Sequence, residues 1–373
     1  MNRTDPLTKL YVEITTACNL DCQMCIRRAW QEPLGDMPLA GFEELMSQLS
    51  RWPSPPIIHL SGYGEPMVHP EFLEIVRLAK ATGAQLELTT NGMLLSPDKV
   101  AVMIDLDLDR LTVSIDAVGA EEFGDIRVRG SLDQVLENLY HLRRIKLRRR
   151  GRHGKPEIGI AFVAMKRNIG DLPKLPRLAT RLGATRISVS NLIPHTAELE
   201  QEILYERSLR ACAFRASRWV PDLSLPKFDL NGRTLAPLQD TFDSTASLSL
   251  LDASLSGRND FCRFAQAGYA AVRWDGQVSP CLELMHDHPV YLRGRRKNVF
   301  HYALGNVYDR PLPQIWESPE FVSFRTKLRR FSFSPCTTCG GCERFGANYE
   351  DCTGNSFPTC GGCLWAQGFV QCP

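Results

Sequence analysis

The sequence predicts an α/β protein: a partial (β/α)6, TIM-like barrel followed by a small cysteine-rich domain. Three observations carry that expectation. Between residues 10 and 193, short β-rich runs alternate with helical patterns, as βαβ units around a parallel sheet require. Six such repeats are too few to close an eight-fold barrel, so the barrel is open. The thirteen cysteines are unevenly placed: three near the N-terminus, Cys212 alone, and nine between Cys262 and Cys372. A chain of 373 residues also exceeds one comfortable core. The expected division is therefore a barrel core over 1–195, a linker or variable segment over 196–260, and a cysteine-rich domain over 261–373.

Strands are expected at residues 9–14, 57–60, 85–88, 110–115, 157–164 and 186–189, where β-branched and aliphatic residues concentrate. Helices are expected at 38–49, 70–81, 97–104, 131–149 and 171–182, several opening with Pro in the first turn or with Ser or Asp as cap. The helix from Ser131 ends in the basic run Arg143 to Arg150, read as a solvated helix end rather than a docking patch. Residues 196–216 read as a further helix, and 217–260 as turn-rich and irregular, a linker or substrate-facing insertion. Cys212, alone at helical spacing, reads as a small buried apolar residue. The run Ala271 to Val278 reads as a β-hairpin with Asp275-Gly276 at its turn.

Composition sets bounds on function. Hydrophobic content of 43% and charged content of 23% are those of an ordinary globular protein. A net charge of +2 gives no reason to expect nucleic acid as partner. No apolar run reaches the roughly 18 residues of a membrane span, so no membrane is expected either. The first residues carry no signal-peptide core, which makes the expected location cytoplasmic. Cysteines at short intervals in such a protein are metal ligands more often than disulfide partners.

Cys18, Cys22 and Cys25 stand at C-x3-C-x2-C spacing directly after the first strand. A [4Fe–4S] cube takes four thiolates, so three with no near fourth leave one iron open. Structural zinc prefers four ligands, usually in two separated pairs. Further on, Gly62-Tyr63-Gly64-Glu65-Pro66 follows the second strand, Thr90-Asn91-Gly92 the third, and Ser114 and Asp116 the fourth, while Asn191 follows the sixth. In this order the motifs resemble those of the radical S-adenosylmethionine (SAM) superfamily. The resemblance implies a cluster on Cys18, Cys22 and Cys25 whose open iron is chelated by SAM, and reductive cleavage of SAM to a 5′-deoxyadenosyl radical. It implies that Gly62, Gly64, Glu65 and Pro66 meet the methionyl amine, with Glu65 as acceptor. It also implies that Thr90, Asn91, Ser114, Asp116 and, less directly, Asn191 line the SAM pocket. Met24, where the superfamily more often has an aromatic residue, would cover the adenine. No residue is assigned as general acid or base.

The C-terminal third supplies Cys262, a Gly276-x4-Cys281 element, the tight triplet Cys336, Cys339 and Cys342, then Cys352, Cys360, Cys363 and Cys372. This resembles the SPASM extension, and implies two auxiliary [4Fe–4S] clusters with one cysteine over. The triplet and the added Cys360-Gly361-Gly362-Cys363 depart from the usual spacing, so the allocation of ligands stays open.

The stretches Cys25 to Met37 and Cys360 to Gly368 are similar to the tungsten cofactor oxidoreductase maturases among radical SAM proteins. That implies a role in maturing a tungsten oxidoreductase or its tungstopterin cofactor, with a low-potential ferredoxin or flavodoxin as electron donor. Arg27, Arg28 and Trp30 would suit a phosphorylated pterin, or simply pack the loop. Two rivals are kept: a SPASM maturase of a ribosomal peptide or enzyme side chain, and a multi-cluster electron-transfer protein. Only about nine residues precede the first strand, which counts against a built-in leader-binding module. The SAM-pocket loops count against a pure electron carrier.

Overall fold

The structure, a computed structural model, describes residues 5–52, 54–148, 154–206, 209, 222–225, 229, 231–242, 247–250, 253–254, 262–334, 336 and 342–371. Six strands form where the alternation places them: β1 (Lys9–Val12), β2 (Ile57–Leu60), β3 (Leu86–Thr90), β4 (Arg110–Ser114), β5 (Glu157–Ala164) and β6 (Arg186–Asn191). They pair in parallel and in chain order. The expected helices are α1 (Leu39–Ser50), α2 (Phe72–Ala81), α3 (Pro97–Asp105), α5 (Leu132–Arg148) and α6 (Leu175–Leu182), with a short α4 (Ala120–Ile126) that periodicity did not reveal. Ser96 caps α3 by accepting from Lys99 N–H, with Pro97 in the first turn.

Alternation along each strand separates two faces. Leu10, Val12, Ile58, Leu60, Leu86, Leu88, Leu111 and Val113 join α1, α2 and α3 in the main core. The opposite face is polar. Lys9 and Arg110 both reach Glu87, at 2.7 and 2.6 Å, and His59 Nε2 lies 2.8 Å from Thr89 Oγ1.

The sheet is longer than six strands. β10 (Tyr269–Val272) pairs in parallel with β1 on the side opposite β2, and β11 (Val278–Ser279) pairs back on β10 through the expected Asp275-Gly276 hairpin. The cysteine-rich segment thus extends the barrel sheet to eight strands. A second hairpin, β12 (His288–Leu292) with β13 (Arg295–Val299), follows. Among the described residues of 217–260, β7 (Asp222–Leu225), β8 (Ser247–Leu250) and β9 (Ala253–Ser254) form a separate three-stranded sheet, where irregular chain was expected.

Two helix expectations change. At 171–182 the α-helix begins only at Leu175; Ile169–Lys174 is 3-10, since Pro173 and Pro176 cannot donate and the Asp171 carboxylate accepts from Val118 N–H instead. Of the helix expected at 196–216, the described residues show one turn, Ala197–Glu200, a break over 201–205, and helical backbone again at Glu206 and Leu209. Within the break Glu202 pairs with Arg167 at 3.0 Å, and Tyr205 donates to the Leu192 carbonyl at 2.9 Å, which turns the chain back to the sheet. Cys212 lies outside the described residues. In the basic run, Arg143 and Lys146 donate to the carbonyls of Arg181 and Pro156, so part of it ties α5 to its neighbours.

Candidate active site and cysteine centres

Cys18, Cys22 and Cys25 lie on the loop after β1, at the C-terminal end of the parallel strands, where barrels place their chemistry. The loop is pinned from one side by Asp21 and Gln23 N–H, which donate to the Val128 and Ile126 carbonyls at 3.1 and 2.9 Å. On the other side Thr16 N–H donates to Gly35. Burial raises all three thiols and pushes Cys22 up to about 12; the Arg127 guanidinium, 4.0 Å from its sulfur, is the main opposing influence. Desolvated thiolates need positive charge nearby, and ligands must be deprotonated to bind metal. Three converging thiols of this kind fit an iron–sulfur cluster.

The glycine loop sits directly beneath. Glu65 N–H donates to the Ala17 carbonyl at 2.8 Å. A Cβ on Gly64 would stand 2.1 Å from the Thr15 carbonyl oxygen, so only glycine permits this approach. Glu65 is buried, and its carboxylate is committed to the chain. Oε1 accepts from Thr90 Oγ1 at 2.8 Å and Met67 N–H at 3.2 Å, and Oε2 accepts from Asn91 N–H at 2.7 Å. Glu65 therefore locks the turn after β3. Asn91 in turn donates to Asn19 Oδ1 at 2.8 Å, and its amide lies 3.8 Å from Cys18 Sγ.

The other strand-end residues divide. Asp116 is fully buried, with Oδ2 gripping Arg127 at 2.6 and 2.7 Å and Oδ1 accepting from Val163 N–H at 2.7 Å. It reaches the cysteine loop through Arg127. Ser114 ends β4 half-buried, opposite Ala161. Asn191 donates to the Phe369 carbonyl at 2.8 Å and ties β6 to the C-terminal segment. Met24 packs half-buried against the core. Pro66 opens a 3-10 turn after the glycine loop.

Of the residues after the cluster loop, Trp30 is packed, its ring 4.3 Å from that of His286. Arg28 is half-exposed, 3.8 Å from Asp21, and Arg27 reaches the Leu20 carbonyl at 3.5 Å. His286 joins the two parts of the chain: Nε2 lies 2.7 Å from Glu13 on the barrel and Nδ1 2.9 Å from Glu32. Arg273 also reaches Glu32, at 3.0 Å. Arg127, Glu13, Glu32 and His286 escaped sequence reasoning. Glu13 alone left a signal, as an acid amid the apolar first strand.

Four of the later cysteines come together. Cys262, Cys281, Cys360 and Cys363 line one enclosed cavity with Phe324 and Leu328 among its apolar walls. Burial raises all four thiols, and Cys281 and Cys360 rise further by facing other thiolates of the set. Cys363 is pushed up to about 12. Four thiols gathered in one apolar cavity are a donor set that fits a metal cluster. Of the two glycines between Cys360 and Cys363, Gly361 is required by contact with backbone. A Cβ on Gly361 would meet the Ser334 carbonyl, and one on Gly362 would stand 2.3 Å from Lys297 Nζ and 3.6 Å from Cys336 Cβ. Cys336 thus abuts the first set. Cys342 Sγ accepts from Arg344 N–H at 3.4 Å, and Cys352 Sγ lies 2.9 Å from Ser334 Oγ. Cys339 and Cys372 lie outside the described residues.

The chain is similar to known proteins in sequence and in fold. The model of the radical SAM superfamily matches residues 12–154, and that of the SPASM iron–sulfur cluster-binding domain matches 262–343. The tungsten-containing aldehyde ferredoxin oxidoreductase cofactor-modifying protein of Pyrococcus furiosus is 31% identical, covering 98% of this chain and 96% of its own. The mycofactocin maturase MftC of Mycobacterium tuberculosis is 26% identical over 97% of this chain and 79% of its own. Among solved structures, Streptococcus suis SuiB bound to precursor peptide SuiA superimposes with a TM-score of 0.58 at 14% identity, covering 90% of this chain and 70% of that one. Native anSMEcpe with bound AdoMet gives 0.56 at 16%, covering 97% and 96%. These two likenesses bear on the fold alone. With a cysteine loop on a barrel, a four-cysteine cavity beside it and a relative matched along nearly its whole length, the chain belongs to the radical SAM superfamily, as an enzyme carrying a SPASM domain.

Proposed function

We propose that this enzyme cleaves SAM reductively and acts in the maturation of a tungsten oxidoreductase or its pterin cofactor. The observation that carries the radical reading is the half-buried triplet Cys18, Cys22 and Cys25, docked on the Gly64 loop and faced by the Asp116-held Arg127 guanidinium. When bound there, a [4Fe–4S] cluster supplies the electron that splits the sulfonium of SAM to a 5′-deoxyadenosyl radical. The chain's own residues do the rest. Glu65 fixes Thr90 and Asn91, Asn91 braces Cys18, and Gly62 to Pro66 offer backbone groups to a ligand's amine. Ser114, Asn191 and Met24 complete the set we assign to the pocket.

In this reading Cys262, Cys281, Cys360 and Cys363 hold one auxiliary [4Fe–4S] cluster. Cys336, Cys339, Cys342 and Cys352 supply the second, leaving Cys372 over. The division into 1–195, 196–260 and 261–373 and a cytoplasmic location belong to the same proposal. No described helix is long and apolar enough to cross a membrane. The electron donor would be a ferredoxin or flavodoxin. The tungsten assignment is supported by the Pyrococcus relative's coverage of nearly the entire chain.

The test is anaerobic reconstitution followed by SAM and dithionite. The wild type should release 5′-deoxyadenosine and Cys22→Ala should not. Cys360→Ser should lose iron equivalent to a different cluster from that lost by Cys22→Ala. Absence of 5′-deoxyadenosine from the fully loaded wild type would sink the radical reading. For the substrate, a tungstopterin-containing oxidoreductase purified without this enzyme should gain activity on incubation with it and SAM. No gain would reject the tungsten assignment and leave the peptide maturase reading.

A further inference from the structure

Lys297 is a cation at an inward-facing position. On β13 it shares a strand face with Val299, and both side chains line the enclosed cavity of Cys262, Cys281, Cys360 and Cys363. Only 5% of its surface is exposed. A lysine is seldom buried to that degree unless an opposite charge meets it. Among the described residues no carboxylate stands at ion-pair distance from its ammonium. Glu283, the one carboxylate in the cavity wall, lies 3.4 Å from His288 instead.

Lys297 meets the chain that carries the cysteines. Its Nζ lies over Gly362, the residue before Cys363, so closely that a Cβ there would stand 2.3 Å away. Cys336 Cβ lies 3.6 Å from the same point. The ammonium is thus held on the short loop between two thiols of the set, on the side where Cys336 abuts it. Burial and the charges of Cys363 and Cys262 push the Cys360 thiol up; Lys297 leads the opposing influences, ahead of Lys327. Arg263 also lines the cavity, but from an exposed position.

We infer that Lys297 is the fixed countercharge of the auxiliary cluster on Cys262, Cys281, Cys360 and Cys363, and that it makes this cluster easier to reduce. The inference rests on the proposed function, which places a [4Fe–4S] cluster on those four thiolates. Such a cluster bears net negative charge and gains an electron on reduction, so a buried cation beside it favours the reduced state. In a dry cavity that attraction is little screened, whereas the exposed Arg263 guanidinium is shielded by water and salt.

The experiment is a redox titration of the anaerobically reconstituted full-length enzyme, followed by electron paramagnetic resonance. The couple absent from Cys360→Ser is that of the cluster in question. Lys297→Met should lower its midpoint: at a fixed potential the ratio of reduced to oxidised cluster should fall by about tenfold or more, which is about 59 mV for one electron. Lys297→Gln should do the same, and Lys297→Arg should stay near the wild type. Arg263→Gln should shift the midpoint less than Lys297→Met. Equal iron content in wild type and variants shows that charge, not loading, has changed. An unmoved midpoint in loaded Lys297→Met, or a shift as large in Arg263→Gln, overturns the inference and leaves the cluster standing. If neither neutral variant loads, wild type carrying nitrogen-15-labelled lysine is read by pulsed paramagnetic resonance. Its reduced cluster should then show coupling to a lysine nitrogen, and absence of that coupling overturns the inference. A wild type with no couple that Cys360→Ser removes sinks the cluster reading, and this inference with it.

Discussion

The Arg127 guanidinium stands between the Asp116 carboxylate, 2.6 Å away, and the sulfur of Cys22, 4.0 Å away. Burial raises the arginine's desolvation cost, and the charges of Asp116 and Cys22 more than offset it, so its proton is held more firmly than usual. The pair sets a fixed positive charge beside the half-buried Cys22 sulfur.

Removing only the arginine should therefore be worse than removing both partners. Arg127→Met strands Asp116 in the interior, and breaking a buried ion pair costs about 3–5 kcal/mol. The double variant Arg127→Met/Asp116→Leu should recover much of that loss. Denaturant unfolding of the four members of the cycle measures it. A double variant as unstable as the sum of the singles would show that the two act separately.

The glycine loop makes a second prediction. Gly64→Ala puts a methyl 2.1 Å from the Thr15 carbonyl and must push the loop off the cysteines. Overpacking of this kind costs about 1–3 kcal/mol, and SAM affinity measured by calorimetry should fall with it. Gly124→Ala is the control. It lies within α4 with nothing near its missing Cβ, and there alanine should stabilise by about 0.5–1 kcal/mol.

How far the sequence carried the fold follows from these contacts. The six barrel strands and the cysteine triplet were legible because their signals are local: alternation, caps and spacing. The pairing of Tyr269–Val272 with β1 was not, because it joins residues some 260 positions apart and leaves no periodicity at either end. Glu65 and Asp116 were legible as strand-end residues, but their roles were not. A motif shows that a carboxylate is present, not that Thr90 and Asn91, or Arg127, already occupy it. Arg127 and His286 carry no motif. The grouping of Cys262 and Cys281 with Cys360 and Cys363 across the intervening triplet needed the folded chain.

The Lys9–Glu87–Arg110 cluster on the barrel interior yields a third prediction. Glu87→Gln keeps shape and removes the buried carboxylate charge that Lys9 and Arg110 share. Stability should fall by about 3 kcal/mol or more. Since the pair is shielded from solvent, the loss should persist in high salt. Urea melts at low and high ionic strength check this. A loss that vanishes in salt would mean that the pair is solvated.

The joint between barrel and cysteine-rich segment should depend on pH in a defined direction. Burial pulls the His286 imidazolium down, but hydrogen bonds to Glu13 and Glu32, with the charge of Glu13, carry it above its ordinary value despite Arg273. A raised histidine contributes stability fully below its unfolded value, near 6.5, and loses it as pH rises through the folded value. Glu32 runs the other way. Burial opposes its charge, yet the His286 and Asp287 hydrogen bonds and the charges of His286 and Arg273 lower it from 4.5 to about 2. Its contribution is present above 4.5 and lost as pH falls toward 2. The joint is therefore firmest between about 4.5 and 6.5. The gap in unfolding free energy between wild type and His286→Gln should be widest in that window and narrow steadily above it. Anaerobic denaturant melts from mildly acid to mildly alkaline pH measure the gap, and one that widens with rising pH would reverse the assigned charge on His286.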